Sequence, residues 1–526
     1  MACKNSIATG GDVDLVSHQI TSGGRCGVLP GSRDCCSHDT AGASADSRRR
    51  AARTSHPANP GLRERPVIFL NMSETKRQFF GTDGIRARAN VHPLTPDFVV
   101  RLGRAVAEVF LERRGTTGEW PTVVIGKDTR QSGDMLESAI SAGITSRGLD
   151  VRSAGVIPTP AIALLVRESG AAFGVVISAS HNPFEDNGIK FFGPDGYKLD
   201  DELELEIERR VLADEVQETS GPVGRCSVFE NAAERYIASV RDSVRGDGKL
   251  FNGLSIALDS ANGAAFQTSE AILHSLGATV KAFHNRPSGI NINDDCGCTH
   301  PGVIEQLVRE TGADVGVSHD GDADRVLLCD ETGSALDGDE MMALAATAMI
   351  EEGTLKDNTL VATIMSNAGL DEAVRKAGGK VVRAGVGDRY VMEVMREHGY
   401  NLGGEQSGHF IFLDHSTTGD GIVSAVQLLK FVKASGQPLS ELRKRMTKLP
   451  QTQRHVRVTH KPALSELSAS AVIQKVEKDL GGSGRVLVRY SGTEALLRVL
   501  VEGRDASAIE SQADEIAKAI ADEIGA

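Results

Sequence analysis

The sequence is poor in aromatic residues and cysteines, and it has no long apolar run. Aromatic residues make up 4% of the 526 residues, and tryptophan occurs once, at Trp120. No stretch approaches the ~20 consecutive apolar residues that a membrane-spanning helix needs, which argues against a membrane partner. Eight cysteines are too few for a disulfide scaffold in a chain of this length, so we expect the reducing cytoplasm as its location.

Positive charge is scarce relative to negative charge. The chain carries 58 Lys and Arg residues against 71 Asp and Glu residues, a formal net charge of −13. This balance argues against general binding to nucleic acid. The hydrophobic fraction of 40% and the charged fraction of 25% are those of an ordinary globular protein. At roughly 100–200 residues per domain, the length predicts three to five domains.

Residues 1–71 differ from the rest of the chain. They are rich in Ser, Gly, Ala and Arg, and no helix or strand periodicity is sustained in them. We therefore expect a disordered extension. Structured-looking sequence begins soon after Met72, and our hypothesis is that Met72 is the natural first residue and that residues 1–71 come from a misassigned start.

A strand, loop and helix pattern occurs three times after this extension. Apolar strands that begin at Thr122, Leu254 and Leu360 each run into a polar loop, a helix and a second apolar strand. This repetition predicts three related α/β domains. We place them at residues 77–230, 231–333 and 334–448.

The end of the chain has a different pattern. Two alternating strands, Arg485–Tyr490 and Leu497–Glu502, are joined by a short polar turn, and an amphipathic helix follows at Ala506–Ile524. This pattern predicts a smaller α+β domain at residues 452–526.

A serine loop follows the buried strand Val175–Ile177. The sequence after the strand is Ser178-Ala179-Ser180-His181-Asn182-Pro183, a run of turn formers. A hydroxyl that a loop presents at the end of a buried strand is placed for chemistry, which makes Ser180 a candidate. An ordinary exit from a strand has the same pattern, and these residues alone leave both interpretations open.

Three aspartates alternate on a turn between two apolar strands. Asp320, Asp322 and Asp324 would repel one another unless a cation lay among them, and carboxylates favour Mg²⁺, Mn²⁺ or Ca²⁺ over zinc. An EF-hand would need glycine where Arg325 stands, and a solvated acidic turn is the competing interpretation. A Cys-x-Cys pair at residues 296–298 with His300 is a weak zinc signal, because a second ligand pair is missing.

Two further loops carry polar groups. Glu405, Ser407 and His409 stand among glycines, and their acid, hydroxyl and imidazole suit the hydroxyl groups of a sugar. A plain polar loop would have the same composition. Near the end of the chain, Arg489 leads into a turn with hydroxyls and backbone N–H groups, and Arg498 follows, which favours a phosphate site. A β-turn with a surface arginine would give the same pattern there.

Together these motifs resemble the α-D-phosphohexomutase superfamily, across residues 77–526. The segments that carry the resemblance are FFGTDGIR, ISASHNPFEDNGIKFFG, DGDADR, GEQSGH and RYSGTEALLRV. The resemblance implies four domains around a central cleft, three of which are α/β domains with mixed sheets. One departure is Ala87, since a glycine usually follows the arginine of the first motif, and it changes the freedom of the local backbone.

The resemblance also implies a role for each candidate residue. Ser180 would be the catalytic phosphoserine, and one Mg²⁺ per active site would bind a Ser180 phosphate oxygen and the three aspartates. Arg86, Lys190 and Arg325 would stabilise charge, and His181 would position the serine. Lys190, with a pKa lowered by cationic neighbours, and His409 are the candidates for general base. Sugar hydroxyls would bind Glu405 and Ser407, and the distal phosphate would bind Arg489, Ser491, Gly492, Thr493 and Arg498.

Within this resemblance, the sequence GEQSGH favours glucosamine phosphates as substrates. The implied reaction interconverts glucosamine 6-phosphate and glucosamine 1-phosphate through a 1,6-bisphosphate and feeds UDP-N-acetylglucosamine synthesis. A phosphomannomutase or phosphoglucomutase would perform the same chemistry on another sugar. Two interpretations from different classes are a catalytically silent sugar-phosphate binder and a calcium-binding structural protein. Sugar phosphates are the expected partners, and a homodimer is left open.

Overall fold

The computed structural model describes residues 77–114, 121–213, 221–244, 249–481, 484–491 and 495–526. They belong to one of the two compact units of the chain, Phe69–Ala526. The expected disordered extension at residues 1–71 lies outside the described residues, and so do Gly492 and Thr493. Among the helices that are described, none is long and apolar enough to cross a bilayer.

The first sheet has seven strands in the order β1-β2-β6-β5-β3-β4-β7. The pairs β3–β4, β3–β5 and β4–β7 are parallel, and β5–β6, β2–β6 and β1–β2 are antiparallel, so the sheet is mixed. Its strands are β1 (Phe80–Gly81), β2 (Gly84–Arg88), β3 (Thr122–Lys127), β4 (Asp150–Val156), β5 (Phe173–Ile177), β6 (Asp186–Phe192) and β7 (Cys226–Val228). Its helices are α1 (Pro96–Arg114), α2 (Ser132–Thr145), α3 (Thr159–Ser169), α4 (Asp201–Ala213) and α5 (Ala232–Asp242).

The second sheet has five strands in the order β12-β11-β10-β8-β9. Strand β8 is parallel to β9 and β10, while β11 is antiparallel to β10 and β12. Its elements are β8 (Ser255–Asp259), α6 (Thr268–Ser275), β9 (Thr279–Phe283), α7 (Pro301–Thr311), β10 (Val315–His319), β11 (Val326–Asp330) and β12 (Ala335–Leu336).

The third sheet has four strands in the order β14-β13-β15-β16, and only β16 is antiparallel to its neighbour. Its first helix begins with a capping box, in which Asp337 and Glu340 each accept a backbone N–H of the other. Its elements are α8 (Gly338–Glu351), β13 (Thr359–Thr363), α9 (Ala368–Lys376), β14 (Lys380–Ala384), α10 (Asp388–His398), β15 (Leu402–Gly404), β16 (Phe410–Phe412), α11 (Gly421–Ser435) and α12 (Leu439–Leu442).

These three sheets contain the same four-strand unit. In β4-β3-β5-β6, β9-β8-β10-β11 and β14-β13-β15-β16, three parallel strands are followed by one antiparallel strand. The serine loop, the three-aspartate loop and the Glu405 loop each join the third strand of this unit to the fourth. The three loops that the sequence singled out therefore occupy one topological position.

The last sheet is antiparallel throughout, in the order β17-β19-β18. Its elements are β17 (Gln451–Arg457), α13 (Ala469–Leu480), β18 (Arg485–Tyr490), β19 (Leu496–Glu502) and α14 (Ala506–Ile524). Three short 3₁₀ turns complete the described chain, at Lys356–Asn358, Arg443–Arg445 and Leu464–Glu466. The fold confirms the prediction of three α/β domains with mixed sheets and a smaller C-terminal α+β domain, while the domain limits stay predictions.

The buried side chains show how these parts are joined. One continuous cluster runs from Val124 in the first sheet to Met446 beyond the third. The C-terminal sheet has a separate cluster, from Val456 to Ile524. Each fully buried Leu, Ile or Phe contributes about 1.5–3 kcal/mol, so the first three sheets stabilise one another through shared apolar burial.

Candidate active site

The serine loop is held by hydrogen bonds at the end of β5. The Ser178 hydroxyl donates to Asp128 Oδ2 at 2.5 Å and accepts from the backbone N–H of Ser180 at 2.9 Å. Ser180 has a φ of 54°, in the left-handed region that non-glycine residues rarely adopt. Its side chain is fully buried. The loop therefore presents the Ser180 hydroxyl in one fixed orientation.

Two side chains from outside this loop hold its carbonyl groups. Arg130 Nη2 donates to the carbonyl oxygens of Ser180 at 2.9 Å and Asn182 at 2.8 Å. Asn293 Nδ2 donates to the same two oxygens at 2.9 and 3.0 Å. The Arg130 charge is balanced by Asp128, whose Oδ2 lies 2.9 Å from Arg130 Nε in a fully buried ion pair. Arg130 belongs to the first domain, and Asn293 lies between β9 and α7 of the second domain. Side chains from two domains therefore hold the loop.

The three aspartates form a buried carboxylate cluster. One oxygen from each of Asp320, Asp322 and Asp324 lies within 4.8 Å of the others. Burial, Asp324 and Asp322 raise the pKa of Asp320 well above its usual range. Among the described residues, Asp322 Oδ1 and Asp324 Oδ1 are buried without a hydrogen-bond partner. Such groups are costly unless a cation binds them, so the cluster fits a metal ion and the solvated-turn interpretation is wrong.

The serine loop and the aspartate loop meet directly. The Ser180 hydroxyl donates to Asp320 Oδ2 at 2.7 Å. A Cβ on Gly321 would lie 2.5 Å from the Ser180 carbonyl oxygen, closer than real contacts allow, so only glycine permits this approach. Thr159 Oγ1 donates to Asp322 Oδ2 at 2.7 Å from the first domain. The candidate nucleophile and the candidate metal ligands are thus in contact.

Lys190 lies among carboxylates. Its Nζ is 2.9 Å from Asp322 Oδ2 and 2.9 Å from Asp83 Oδ2. Burial lowers the pKa of Lys190, but Asp322, Asp83 and Asp324 outweigh it and raise the pKa above its ordinary value. The predicted lowering of this pKa is wrong, because the groups nearest the ammonium are anions rather than cations.

The two histidines of the site differ in charge. His409 lies between Asp324 and Asp388, with ring nitrogens 3.6 and 3.5 Å from their carboxylate oxygens. Burial lowers the pKa of His409, but these carboxylates outweigh it and raise the pKa to about 9. His181 Nδ1 lies 3.2 Å from Ser180 Oγ, and burial together with Arg325 and Arg86 lowers its pKa to about 4. At neutral pH, His409 is therefore cationic and His181 is neutral.

A cavity of about 300 Å³ opens beside this cluster. It brings together predicted residues from the first three domains and others that the sequence did not single out. Its lining consists of Phe79, Gly81, Thr82, Asp83, Gly84, Arg86, Lys198, Asp324, Arg325, Gly387, Asp388, Glu405 and His409. Eight of these thirteen residues are charged or ionisable, four acidic and four basic, so the lining suits a small polar ligand.

Three of these lining residues, Lys198, Gly387 and Asp388, were missed from the sequence. Lys198 Nζ donates to Asp83 Oδ1 at 2.5 Å and to Asp388 Oδ2 at 2.6 Å, which ties the first domain to the third. The backbone N–H of Gly387 donates to Glu405 Oε1 at 3.1 Å. The glycine-punctuated sequence before Asp388 was a signal for this loop, but Lys198 had none beyond its charge.

The predicted phosphate residues lie on the C-terminal sheet. Arg489 and Arg498 are directly opposite each other on β18 and β19. Burial and Arg498 lower the pKa of Arg489. Like charges opposite each other destabilise a sheet, and an anion would relieve the repulsion. Ser491 is buried, whereas Ser407 on the third domain is exposed. Neither these arginines nor these serines line the 300 Å³ cavity.

The sequence matches four successive models of the phosphoglucomutase/phosphomannomutase family. Three describe its alpha/beta/alpha domains I, II and III, and they match residues 77–218, 234–333 and 337–449. The fourth describes its C-terminal domain and matches residues 454–519.

Solved structures share the fold. A phosphoglucomutase/phosphomannomutase family protein from Burkholderia thailandensis has a TM-score of 0.69 at 22% identity, covering 84% of this chain and 97% of its own. A putative phosphomannomutase from Thermus thermophilus has a TM-score of 0.68 at 24% identity, with coverages of 85% and 100%. Aspergillus fumigatus N-acetylphosphoglucosamine mutase, solved with GlcNAc-6P and magnesium, has a TM-score of 0.56 at 19% identity, with coverages of 85% and 96%.

Curated relatives are closer in sequence. The phosphoglucosamine mutase of Citrifermentans bemidjiense is 50% identical over 453 residues, which are 85% of this chain and 99% of the relative. That of Geobacter sp. (strain M21) is 49% identical over the same lengths. Identity at this level over nearly the whole relative, on all four matched domains, means that the chain belongs to the phosphoglucosamine mutase family of the α-D-phosphohexomutase superfamily.

Proposed function

We propose that this enzyme interconverts glucosamine 6-phosphate and glucosamine 1-phosphate through a phosphorylated Ser180 and a glucosamine 1,6-bisphosphate. In the forward direction, the Ser180 phosphoryl group is transferred to the sugar's 1-hydroxyl. The bisphosphate reorients, and Ser180 regains a phosphoryl group from position 6. Supply of glucosamine 1-phosphate for UDP-N-acetylglucosamine synthesis and a cytoplasmic location belong to the same proposal.

The contact between Ser180 and Asp320 carries this proposal. An ordinary strand exit gives no reason to bury a serine hydroxyl 2.7 Å from a cluster of three carboxylates. A phosphoryl group on that oxygen would lie beside any cation that the cluster binds. Phosphoryl transfer depends mainly on such positioning and charge neutralisation.

One Mg²⁺ per active site is part of the proposal. Asp320, Asp322 and Asp324 would hold it, which their unpartnered buried oxygens favour. The Aspergillus mutase named above was solved with magnesium, which is consistent with this choice. Bound Mg²⁺ supplies neutralisation of negative charge on the transferring phosphoryl group.

We assign Arg86, Arg325, Lys190 and His409 as cations around the reacting phosphate. All four are positively charged at neutral pH, and three of them line the cavity. Guanidinium groups bind phosphate oxygens well and do not release a proton. Lys190 or His409 can accept the sugar hydroxyl's proton only after the charge of Asp322 and Asp324 has been offset. His181, neutral and next to Ser180, would position the hydroxyl.

Two groups of residues would hold the substrate. Glu405 and Ser407 would bind sugar hydroxyls, and Glu405 already lines the cavity. Arg489 and Arg498, together with Ser491, Gly492 and Thr493, would bind the distal phosphate. The opposed arginines on β18 and β19 support this role, since an anion removes their mutual repulsion.

A side-by-side mutase assay tests the sugar. Purified enzyme is given glucosamine 6-phosphate, glucose 6-phosphate and mannose 6-phosphate in Mg²⁺ with a trace of the matching bisphosphate. We expect the highest kcat/KM for the glucosamine compound. A clear preference for mannose or glucose would instead favour a phosphomannomutase or phosphoglucomutase. Absence of turnover with all three, from enzyme that mass spectrometry shows to be phosphorylated, would favour a silent binder.

A further inference from the structure

A second group of possible metal ligands lies in the second domain and shares no residue with the three aspartates. It consists of Asp259, His284 and Cys296, and one ligand atom of each lies within 4.8 Å of the others. We propose that these three side chains bind a transition-metal ion, zinc by preference, that braces the serine loop and the aspartate loop from behind.

The parallel strands of the second sheet bring the first two ligands together. Asp259 ends β8, and Phe283, its Cα partner in the sheet, ends the parallel strand β9. His284 follows at once, so its ring projects at the edge where Asp259 lies. His284 Nδ1 is 3.0 Å from Asp259 Oδ1. In a tetrahedral zinc site, ligand atoms about 2.0–2.3 Å from the metal lie roughly 3.3–3.7 Å apart, so this pair needs little movement.

Cys296 completes the cluster from the loop before α7. The side chains of Cys296 and Asp259 are fully buried, whereas the His284 side chain is 34% exposed. The backbone N–H of Gly297 donates to Asp259 Oδ2 at 2.8 Å, which fixes the cysteine's neighbour against the carboxylate. A metal held here would have one face open toward His284 and solvent, where water can serve as the fourth ligand.

The ligand types select the metal. One carboxylate oxygen, one imidazole nitrogen and one thiolate sulfur suit zinc and cobalt, whereas Mg²⁺ and Ca²⁺ need oxygen ligands. Cys296 binds as the thiolate, so metal binding releases the thiol proton to solvent. Burial and Asp259 raise the pKa of the Cys296 thiol to about 12, so the metal-free cysteine is an inert thiol at neutral pH.

This set differs from the one that the Cys-x-Cys sequence indicated. Cys298 and His300 do not belong to the cluster. The His300 ring nitrogen lies 3.0 Å from the backbone carbonyl of Cys296, and the backbone N–H of Cys298 donates to the carbonyl of His319 at 2.9 Å. Cys298 therefore provides a control position two residues from the proposed ligand.

The cluster is joined to the active site by short connections. Asn293 comes from the same loop as Cys296, and its side chain donates to the Ser180 carbonyl at 2.9 Å. Its backbone N–H donates to the carbonyl of Ala261, two residues after Asp259, at 3.0 Å. A metal that ties Asp259 to Cys296 would therefore stiffen the support of the serine loop.

Cobalt spectroscopy tests the site. The full-length chain is prepared with Cys3, Cys26, Cys35 and Cys36 changed to Ser, so that the first forty residues supply no thiolate. It is stripped with chelator, saturated with Mg²⁺ and titrated with Co²⁺. We expect one equivalent of Co²⁺ per chain to produce a thiolate-to-cobalt charge-transfer band in the near ultraviolet, and Zn²⁺ to abolish it.

Variants in this background assign the ligands. Cys296→Ser should remove the band and Cys298→Ser should keep it. His284→Ala should weaken Co²⁺ binding at least ~10-fold, because even the loss of an outer partner of a metal ligand costs ~10–100-fold in affinity. Zn²⁺ should raise the Tm of the parent but not of Cys296→Ser.

Two results would overturn the proposal. One is the absence of a charge-transfer band in the parent protein, and the other is a band that survives Cys296→Ser. If circular dichroism shows that Cys296→Ser is unfolded, His284→Ala decides, since its ring is partly exposed and its loss leaves the core intact. Unchanged Co²⁺ affinity in that variant would then refute the site. None of these readouts depends on mutase activity.

Discussion

The first three sheets and the C-terminal sheet are attached to the molecule in different ways. The first three share one apolar core, and the serine and aspartate loops meet across it. The C-terminal sheet has its own core. It contacts the third domain through polar bonds, such as Arg485 Nη2 to the Ser366 carbonyl at 2.5 Å and the Ala368 N–H to Glu502 Oε2 at 3.0 Å.

This difference in attachment separates two tasks, phosphoryl transfer and the binding of the substrate's distal phosphate. Shared apolar burial resists relative motion, so the groups that transfer phosphate are held within one packed body. Domains joined mainly by polar contacts move more readily. We therefore expect the C-terminal sheet, with its opposed arginines, to shift when a substrate phosphate binds.

Ser180→Ala should abolish phosphoryl transfer, the task of the three domains that share an apolar core. Loss of the phosphoryl carrier should lower kcat by at least ~10³-fold, because a covalent route is removed. The mutase assay and intact-mass measurement of bound phosphate check this. The control is Ser138→Ala, an exposed serine on α2, which should keep wild-type rates. Near-normal activity in Ser180→Ala would remove this residue from its role.

Asp320→Asn should reduce the stabilisation of the protein by Mg²⁺. Without metal, the variant should melt at the same temperature as wild type or higher, because one of three mutually repelling buried carboxylates is gone. With saturating Mg²⁺, wild type should gain more in Tm, and activity of the variant should fall at least ~100-fold. Differential scanning calorimetry at both metal levels measures this. Equal stabilisation of both proteins by Mg²⁺ would contradict it.

Arg489→Ala should affect binding more than chemistry. A charge-assisted hydrogen bond contributes about 1.5–3 kcal/mol, so KM should rise about 10–100-fold with a smaller fall in kcat. Stability should not decrease, since the variant loses a like-charge pair with Arg498. Arg457→Ala on the neighbouring strand β17 is the matched control and should leave KM unchanged. A fall in kcat with unchanged KM would place the arginine in the reacting centre instead.

Two helix-capping aspartates should give opposite pH dependences. Asp420 caps α11 in the shared core and accepts the Tyr236 hydroxyl at 2.9 Å, and burial raises its pKa to about 6. Because the unfolded pKa is ~3.9, this residue makes stability fall as pH rises from about 4 to 6. Asp420→Asn keeps a good cap and should remove that fall, an effect of about 1–3 kcal/mol.

Asp505 caps α14 in the C-terminal domain and is exposed. Hydrogen bonds from Ser507 and Ala508 lower its pKa, so its contribution is present above the unfolded pKa and is lost as pH falls below about 4. Asp505→Asn should remove this loss of stability at acid pH. Urea unfolding between pH 3 and 8 measures both slopes, and slopes of the same sign for the two aspartates would refute this contrast.

Sequence patterns predicted the helices, strands and loops well where residues close together in the sequence determine the structure. The apolar run in β5 predicted a buried strand, and the amphipathic spacing in α14 predicted a helix. The predicted bounds of α14 agree with the structure, and all five residues of β5 are buried. The serine and aspartate loops were also found, because turn formers after a strand and alternating carboxylates are local signals. That these loops share one topological position became visible only in the strand order.

The charge state of the site could not be predicted in the same way. The pKa of Lys190 depends on Asp83 and Asp322, which lie far from it in sequence. The pairing of β2 with β6 brings Asp83 to 2.9 Å from Lys190 Nζ, and the packing of the first domain against the second brings Asp322 to the same distance. The link from Lys198 to Asp388 has the same origin. The cluster of Asp259, His284 and Cys296 likewise depends on strand pairing, whereas the adjacent cysteines suggested a different set.

The left-handed conformation of Ser180 sets catalysis against stability at a single residue. A side chain in this region costs roughly 1–2 kcal/mol, and glycine adopts it without that strain. A loop selected only for folding would therefore carry glycine at residue 180. Ser180→Gly should give a protein that has lost its phosphoryl carrier and yet recovers part of the stability that the serine costs. The hydroxyl is thus kept by selection for the reaction, against the preference of the backbone that carries it.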